Sequence, residues 1–170
     1  MDTYLAIVSK RDWRRFADRP VPPDAEKRIL EAGRLASSAN NRQRRRFVVI
    51  DDADLRERLA QTVYAPQNVR SAALVVAVVT PPGEMPAFDA GRAVESMFLA
   101  AWNHGIASVP NGMPDRDTTG AVLGLGENEL VRIVLAFGYP ARPRDPGSRS
   151  PGDWIAEANR LPFDQVVERR

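Results

Sequence analysis

Cysteine is absent from this chain and histidine occurs once, at His104. Disulfides, thiolate metal ligands, cysteine nucleophiles and multi-histidine metal centres are therefore excluded, and no spare imidazole is left to act as a base. The chain is rich in arginine instead, since all but Lys10 and Lys27 of its 24 basic residues are of that type. A guanidinium stays charged and grips phosphate or carboxylate with paired hydrogen bonds, so the chemistry on offer is anion binding rather than proton transfer. Any enzyme activity would have to be borrowed from an organic cofactor.

The polar groups that could hold such a cofactor occur in clusters. KRDWRRF, Lys10 to Phe16, sets Lys10, Arg11, Arg14 and Arg15 within six residues, and Arg11 and Arg14 would share one face of a helix suited to a phosphate. Taken alone, the cluster reads equally as a solvated basic turn. SSANNRQRRRF, Ser37 to Phe47, is a hydrogen-bonding loop made basic by Arg42, Arg44, Arg45 and Arg46. The run is short and lacks interleaved aromatics, so it is a weak nucleic-acid patch; its arginines read first as a solvated face and second as a site for a nicotinamide phosphate or an anionic substrate. Gln67, Asn68 and Arg70 occupy a polar connection. PNGMPD, Pro110 to Asp115, is a tight turn in which Asn111 and Gly112 can present unpaired backbone N–H groups. His104 reads as a dipole partner at a helix C-terminus, and Trp13, Trp102 and Trp154 read as packing residues.

The element around which a scaffold would form is Phe88 to Gly105, FDAGRAVESMFLAAWNHG. Asp89 is placed as its N-cap and Gly105 as its stop. Apolar side chains cover most of its circumference and leave a thin polar stripe through Arg92, Glu95, Ser96 and Asn103, which predicts a helix surrounded by protein on nearly every side. A second copy of the chain would complete that cover, so a homodimer is expected. Helices are predicted at Thr3 to Ser9, Pro23 to Ala36, around Leu55 to Val63, from Thr118 to Leu123 and weakly from Asp153 to Asn159. Strands are predicted at Phe47 to Asp51, Ala72 to Thr80, Ala107 to Val109 and Leu130 to Gly138. The tail, with Leu161, Phe163, Val166 and Val167, would be sticky in water and is expected to dock.

With 170 residues, 44% hydrophobic, 27% charged and a net charge of +2, the chain has ordinary globular composition and is read as one domain, residues 1–170. No run approaches the roughly 20 apolar residues of a membrane span, and no basic segment with an apolar core opens the chain. The reading is a cytoplasmic α+β protein with a mixed sheet, no membrane contact and no nucleic-acid partner.

In order, KRDWRRFADRPVP, a helix ending ASSANNRQRRRF, QNVRSAALVVAVV, DAGRAVESMFLAAWNHGIAS and LAFGYP with a following arginine resemble the FMN-dependent nitroreductase-like superfamily over nearly the whole chain. The resemblance implies an α+β fold with a mixed, mainly antiparallel sheet flanked by helices. It implies a homodimer with two FMN molecules at the interface, its buried central helix packed on the partner and a C-terminal arm, about residues 152–170, wrapping the other subunit. It implies hydride transfer from NADH or NADPH through flavin N5 to a small electron-poor acceptor such as a nitroaromatic or quinone, with no catalytic residue or metal ion from the protein. On the same basis Lys10, Arg11, Arg14 and Arg149 resemble the phosphate-side cluster. Ser37, Ser38 and Asn41 resemble the loop reaching the flavin from the partner, Gln67 a contact to the ring or ribityl chain, and Asn111 and Gly112 the turn that donates to N5.

The chain also departs from that pattern. Asp12 stands where a serine is common beside the phosphate, and its charge would repel the phosphate unless an arginine neutralises it. Ser37 replaces a proline, and Arg44 and Arg45 replace Pro-Trp. Residues 80–89 leave little room for a flavin-covering insertion. Two further readings follow: a non-catalytic flavin carrier or sensor, motivated by Asp12 and the short cover, and a small basic nucleic-acid-binding domain resting on Arg42 to Arg46 alone.

Overall fold

Four strands form one sheet in the order β1-β2-β4-β3: β1 Arg46–Val49, β2 Leu74–Thr80, β3 Ala107–Asn111 and β4 Leu130–Gly138. The structure is a computed structural model describing residues 1–170. Every strand pair is antiparallel, and parallel pairing is confined to one isolated bridge between Asp12 and Ser108. The expected mixed character thus shrinks to a single bridge at the β3 edge.

Alternation in the central strands builds two cores. Leu74, Val76 and Val78 of β2, with Leu135 and Phe137 of β4, face helices α2 (Pro23–Leu35) and α5 (Glu84–Asn103). Val75 and Ala77, with Val131, Val134 and Ala136, face α3 (Ala53–Ala60), α4 (Pro66–Arg70) and Leu123 at the end of α6 (Arg116–Val122). All seven residues of β2 are buried, as an uninterrupted valine-rich run requires when both faces of a strand are covered.

Local signals set the helix ends. Asp2 caps α1 (Thr3–Ser9) by accepting from the Leu5 amide, and Asp52 and Asp115 cap α3 and α6 in the same way. Ser150 and Asp153 form a reciprocal capping box at the start of α7 (Pro151–Glu157). The central helix departs from its predicted start. It begins at Glu84 after Gly83, whose φ of +119° only glycine adopts readily, and it carries Pro86 in its first turn, where no amide donor is needed. Asp89 is consequently not an N-cap; it lies buried inside the helix, and its carboxylate accepts from the Ala39 amide at 3.0 Å. Arg132 fixes the loop before the helix by donating to Thr80 Oγ1 at 2.6 Å and to the carbonyls of Pro81 and Gly83 at 2.7 and 3.1 Å.

One flank of α5 is open in the single chain: Phe88 is 61% exposed, and Gly91, Arg92 and Glu95 also reach solvent. Gln67 and Asn68 lie on the short helix α4 rather than in an irregular connection. In the C-terminal region, Trp154 of α7 is buried, and α7 packs on α1 of its own chain. Leu161, and Phe163 and Val166 of α8 (Phe163–Val166), are exposed. No helix is long and apolar enough to cross a membrane.

Candidate anion and cofactor site

After α1 the chain runs extended along the outer edge of β3. Asp12 bridges to Ser108, the Trp13 amide donates to the Ser108 carbonyl at 3.1 Å, and Phe16 bridges to Pro140. An open strand edge demands hydrogen-bond partners, and this demand overrides the helical spacing of the arginines. Arg11 and Arg14 therefore share no helical face. Alternation instead sends Arg11 and Trp13 towards Trp154 and Arg144, while Lys10 and Asp12 meet on the other side at 2.6 Å.

Arg11 is a clamp. Its guanidinium donates to the carbonyls of Val8 at 2.7 Å, Lys10 at 2.8 Å and Trp154 at 2.7 Å, tying α1 to α7. Burial, followed by repulsion from Arg160 and Arg144, holds its pKa below the usual arginine value. Arg149 pairs with Glu157, and Arg144 and Arg149 lie 5.0 and 5.2 Å from the Trp154 ring centre. Three cations thus encircle one buried indole instead of converging on an open phosphate pocket.

Two basic clefts remain. Arg14, Arg15 and Arg142 border one of about 590 Å³, and none of the three takes part in an ion pair. Lys10, Arg11, Glu95 and Arg160 border another of about 450 Å³, and Asp12 stands in the wall of both. The neutraliser of Asp12 is Lys10, not an arginine.

The loop after α2 is shaped by left-handed backbone at Asn40, Asn41 and Gln43, with φ of 50, 52 and 51°. Asparagine tolerates that region better than most residues. Ser38 Oγ accepts from the Gln43 amide at 2.9 Å, Asn41 Oδ1 accepts from Gln43 Nε2 at 3.1 Å, and Ser37, Ser38 and Asn41 line one cleft. Arg45 does not belong to a solvated face. It donates to the carbonyls of Gly33, Arg34 and Ala36 and so caps the C-terminus of α2, while Arg46 pairs with Glu129 at 2.6 Å. Arg42, Arg44 and Arg46 are all exposed, and only Arg46 of these has an ion-pair partner.

At the far end of β3, Asn111 is buried rather than displayed on a turn. Its Oδ1 accepts from Asn68 Nδ2 at 2.8 Å, and its own amide donates to the carbonyls of Val134 and Val109 at 3.2 and 3.3 Å. The Gly112 carbonyl accepts from Tyr64 N–H, its amide donates to no group of the chain, and a side chain at 112 would meet the Tyr64 ring at 3.4 Å. Gln67 is exposed beside buried Asn68. The predicted residues therefore fall into separate patches of one chain: Lys10 with Arg11, Arg14 apart, Arg149 against Glu157, the 37–41 loop, and the Gln67 to Gly112 corner. Sequence reasoning gave no site role to Asn68, Tyr64 or Arg142 and missed the tethering role of Asp89, although it placed Asn68 in a polar connection and noted the arginine after LAFGYP.

A four-stranded sheet covered on both sides by helices thus carries two basic clefts at its β3 edge. The chain belongs to the nitroreductase family, whose family model matches residues 7–83 and 80–139. A proposed NADH dehydrogenase/NAD(P)H nitroreductase of Archaeoglobus fulgidus is 30% identical over 149 residues, covering 82% of this chain and 86% of its own. An NADPH-flavin oxidoreductase of Vibrio harveyi is 25% identical, covering 93% of this chain and 74% of its own. A proposed nitroreductase from Desulfovibrio desulfuricans, solved in complex with FMN, superposes with a TM-score of 0.84 at 28% identity, covering 100% of this chain and 97% of that one.

Proposed function

We propose that this chain is an oxidoreductase in which bound FMN carries hydride at N5 from NADH or NADPH to a small electron-poor acceptor such as a nitroaromatic or quinone. The residues present fit that group. Arg14, Arg15 and Arg142, free of acidic partners around one cleft, match a phosphate of nearly two negative charges. The unused Gly112 amide, braced by the Asn68–Asn111 pair, is a fixed donor for an electron-rich ring atom.

Further support comes from the full-length likeness to a relative solved with FMN. In this reading the phosphate sits where the two clefts meet at Asp12, contacted by Lys10 from one and by Arg14, with Arg15 and Arg142 beside it, from the other, while Arg11 and Arg149 stiffen its surroundings. Gln67 and Gly112 meet the ring, and Ser37, Ser38 and Asn41 reach the flavin of a second subunit. The protein works in the cytoplasm as a homodimer, whose partner covers the open flank of α5 and receives the exposed tail around Phe163.

The carrying observation is the basic cleft at Arg14, where three guanidiniums without an ion-pair partner share the wall with one carboxylate, Asp12, and leave a net positive charge for an anion. The test is purification followed by mass identification of any retained flavin and anaerobic addition of NADH or NADPH. Bleaching near about 450 nm, the flavin absorbance expected from the cofactor itself, supports an oxidoreductase. A yellow protein that neither donor bleaches would instead be a flavin carrier.

A further inference from the structure

We propose that Asp12 is a built-in counter-anion that sets how tightly this chain holds the phosphate of its flavin; the proposal rests on the flavin reading above. Lys10 Nζ lies 2.6 Å from Asp12 Oδ1 and 4.1 Å from the centre of the Phe98 ring. The Lys10 side chain is 11% exposed and that of Asp12 48%. The ammonium is therefore closed by an aromatic face on one side and by a carboxylate on the other, and a phosphate arriving from solvent meets the carboxylate before the cation.

Asp12 also stands in the walls of both basic clefts, so neither offers a dianion an approach free of it. In the Lys10 cleft, Arg11 is already spent on three carbonyls and Glu95 adds a second negative charge. Phosphate binding must break or share the Lys10–Asp12 pair and set a carboxylate beside the phosphate oxygens, which lowers affinity for FMN without touching recognition of the uncharged ring. Asp12 is thus an affinity-setting residue that narrows the advantage of FMN over riboflavin.

The test is titration of apoprotein with FMN and with riboflavin, for the wild type and for Asp12→Asn and Asp12→Ser, each checked for an unchanged far-ultraviolet spectrum. The expected result is an FMN Kd about tenfold lower in both variants, the order of a charge-assisted hydrogen bond, with riboflavin changed less than about twofold. Adding Lys10→Met to Asp12→Asn should cancel most of that gain, because the freed ammonium is its agent. An unchanged or weakened FMN Kd, or FMN and riboflavin shifting together, overturns the role of Asp12 while leaving the flavin reading standing. Failure of the wild type and both variants to take up either flavin overturns both.

Discussion

Asn68 Nδ2 donates to Asn111 Oδ1 at 2.8 Å, joining α4 to the end of β3 through two buried carboxamides. Asn111 spends its remaining hydrogens on Val109 and Val134, so every polar atom of its side chain is used inside the protein. The loop that carries Gly112 therefore starts from a fixed point. Asn111→Leu strands the Asn68 amide and two carbonyls, and the expected loss is about 1–3 kcal/mol. Urea unfolding measures it, and the double variant with Asn68→Leu should lose less than the sum of the two single losses.

Arg11 and Arg14, three residues apart, should separate by experiment. Arg11→Ala removes three donors that tie α1 to α7, and it should lower Tm by several degrees, at about 2–4 °C per kcal/mol for a chain of this size. Arg14→Ala should leave Tm within a degree or two and weaken FMN binding. Calorimetry alongside flavin titration checks both; equal Tm losses would contradict the division of labour.

Much of the frame was legible in the sequence and much of the site was not. Leu130–Gly138 and Thr3–Ser9 fall where their apolar runs and caps put them, because propensity, burial and punctuation agree there. Asp89 misled because an acidic residue near a helix start is an N-cap only when nothing else claims it, and the Ala39 amide, fifty residues away in sequence, does. The basic run 10–16 misled because a strand edge, invisible in local spacing, imposed period two. The pairing of Lys10 with Asp12 and of Asn68 with Asn111 depends on tertiary placement, and no local pattern encodes it.

Gly33 of α2 lies directly against Met97 of α5. A Cβ there would sit 2.8 Å from Met97 Cγ and 2.9 Å from Phe47 Cζ, both in the core on that face of the sheet. Gly33→Ala gains helix propensity but overpacks this contact, and the expected net loss is about 1–3 kcal/mol. Guanidinium unfolding measures it, and shortening Met97 in the same chain should recover part of the loss.

Glu57 titrates at about 2, held down first by the Arg70 side-chain hydrogen bond and then by that of Gln61. Its folded pKa lies below the ordinary glutamate value of 4.5, so its contribution is present above that value and is lost as pH falls towards about 2. The pair is exposed, and salt should weaken it. Glu57→Gln should flatten the acid limb of Tm against pH in that window, its small loss of Tm being greatest above 4.5 and vanishing as pH falls towards about 2.

Phe163 is 73% exposed and Val166 63% in the single chain. If the tail seats on a second copy, Phe163→Asp should shift the species seen by analytical ultracentrifugation from dimer to monomer and reduce retained flavin together with it. A variant that stays fully dimeric would place the contact elsewhere.

The strand order has a consequence for how the chain reaches this state. No two paired strands are joined by a tight turn: β1 meets β2 across α3 and α4, β2 meets β4 across α5, β3 and α6, and β3 meets β4 across α6. The sheet consequently cannot zip up from a hairpin, and each ladder forms only after a helical detour has closed. Such a chain should refold slowly for its length, since each ladder must first close a long loop.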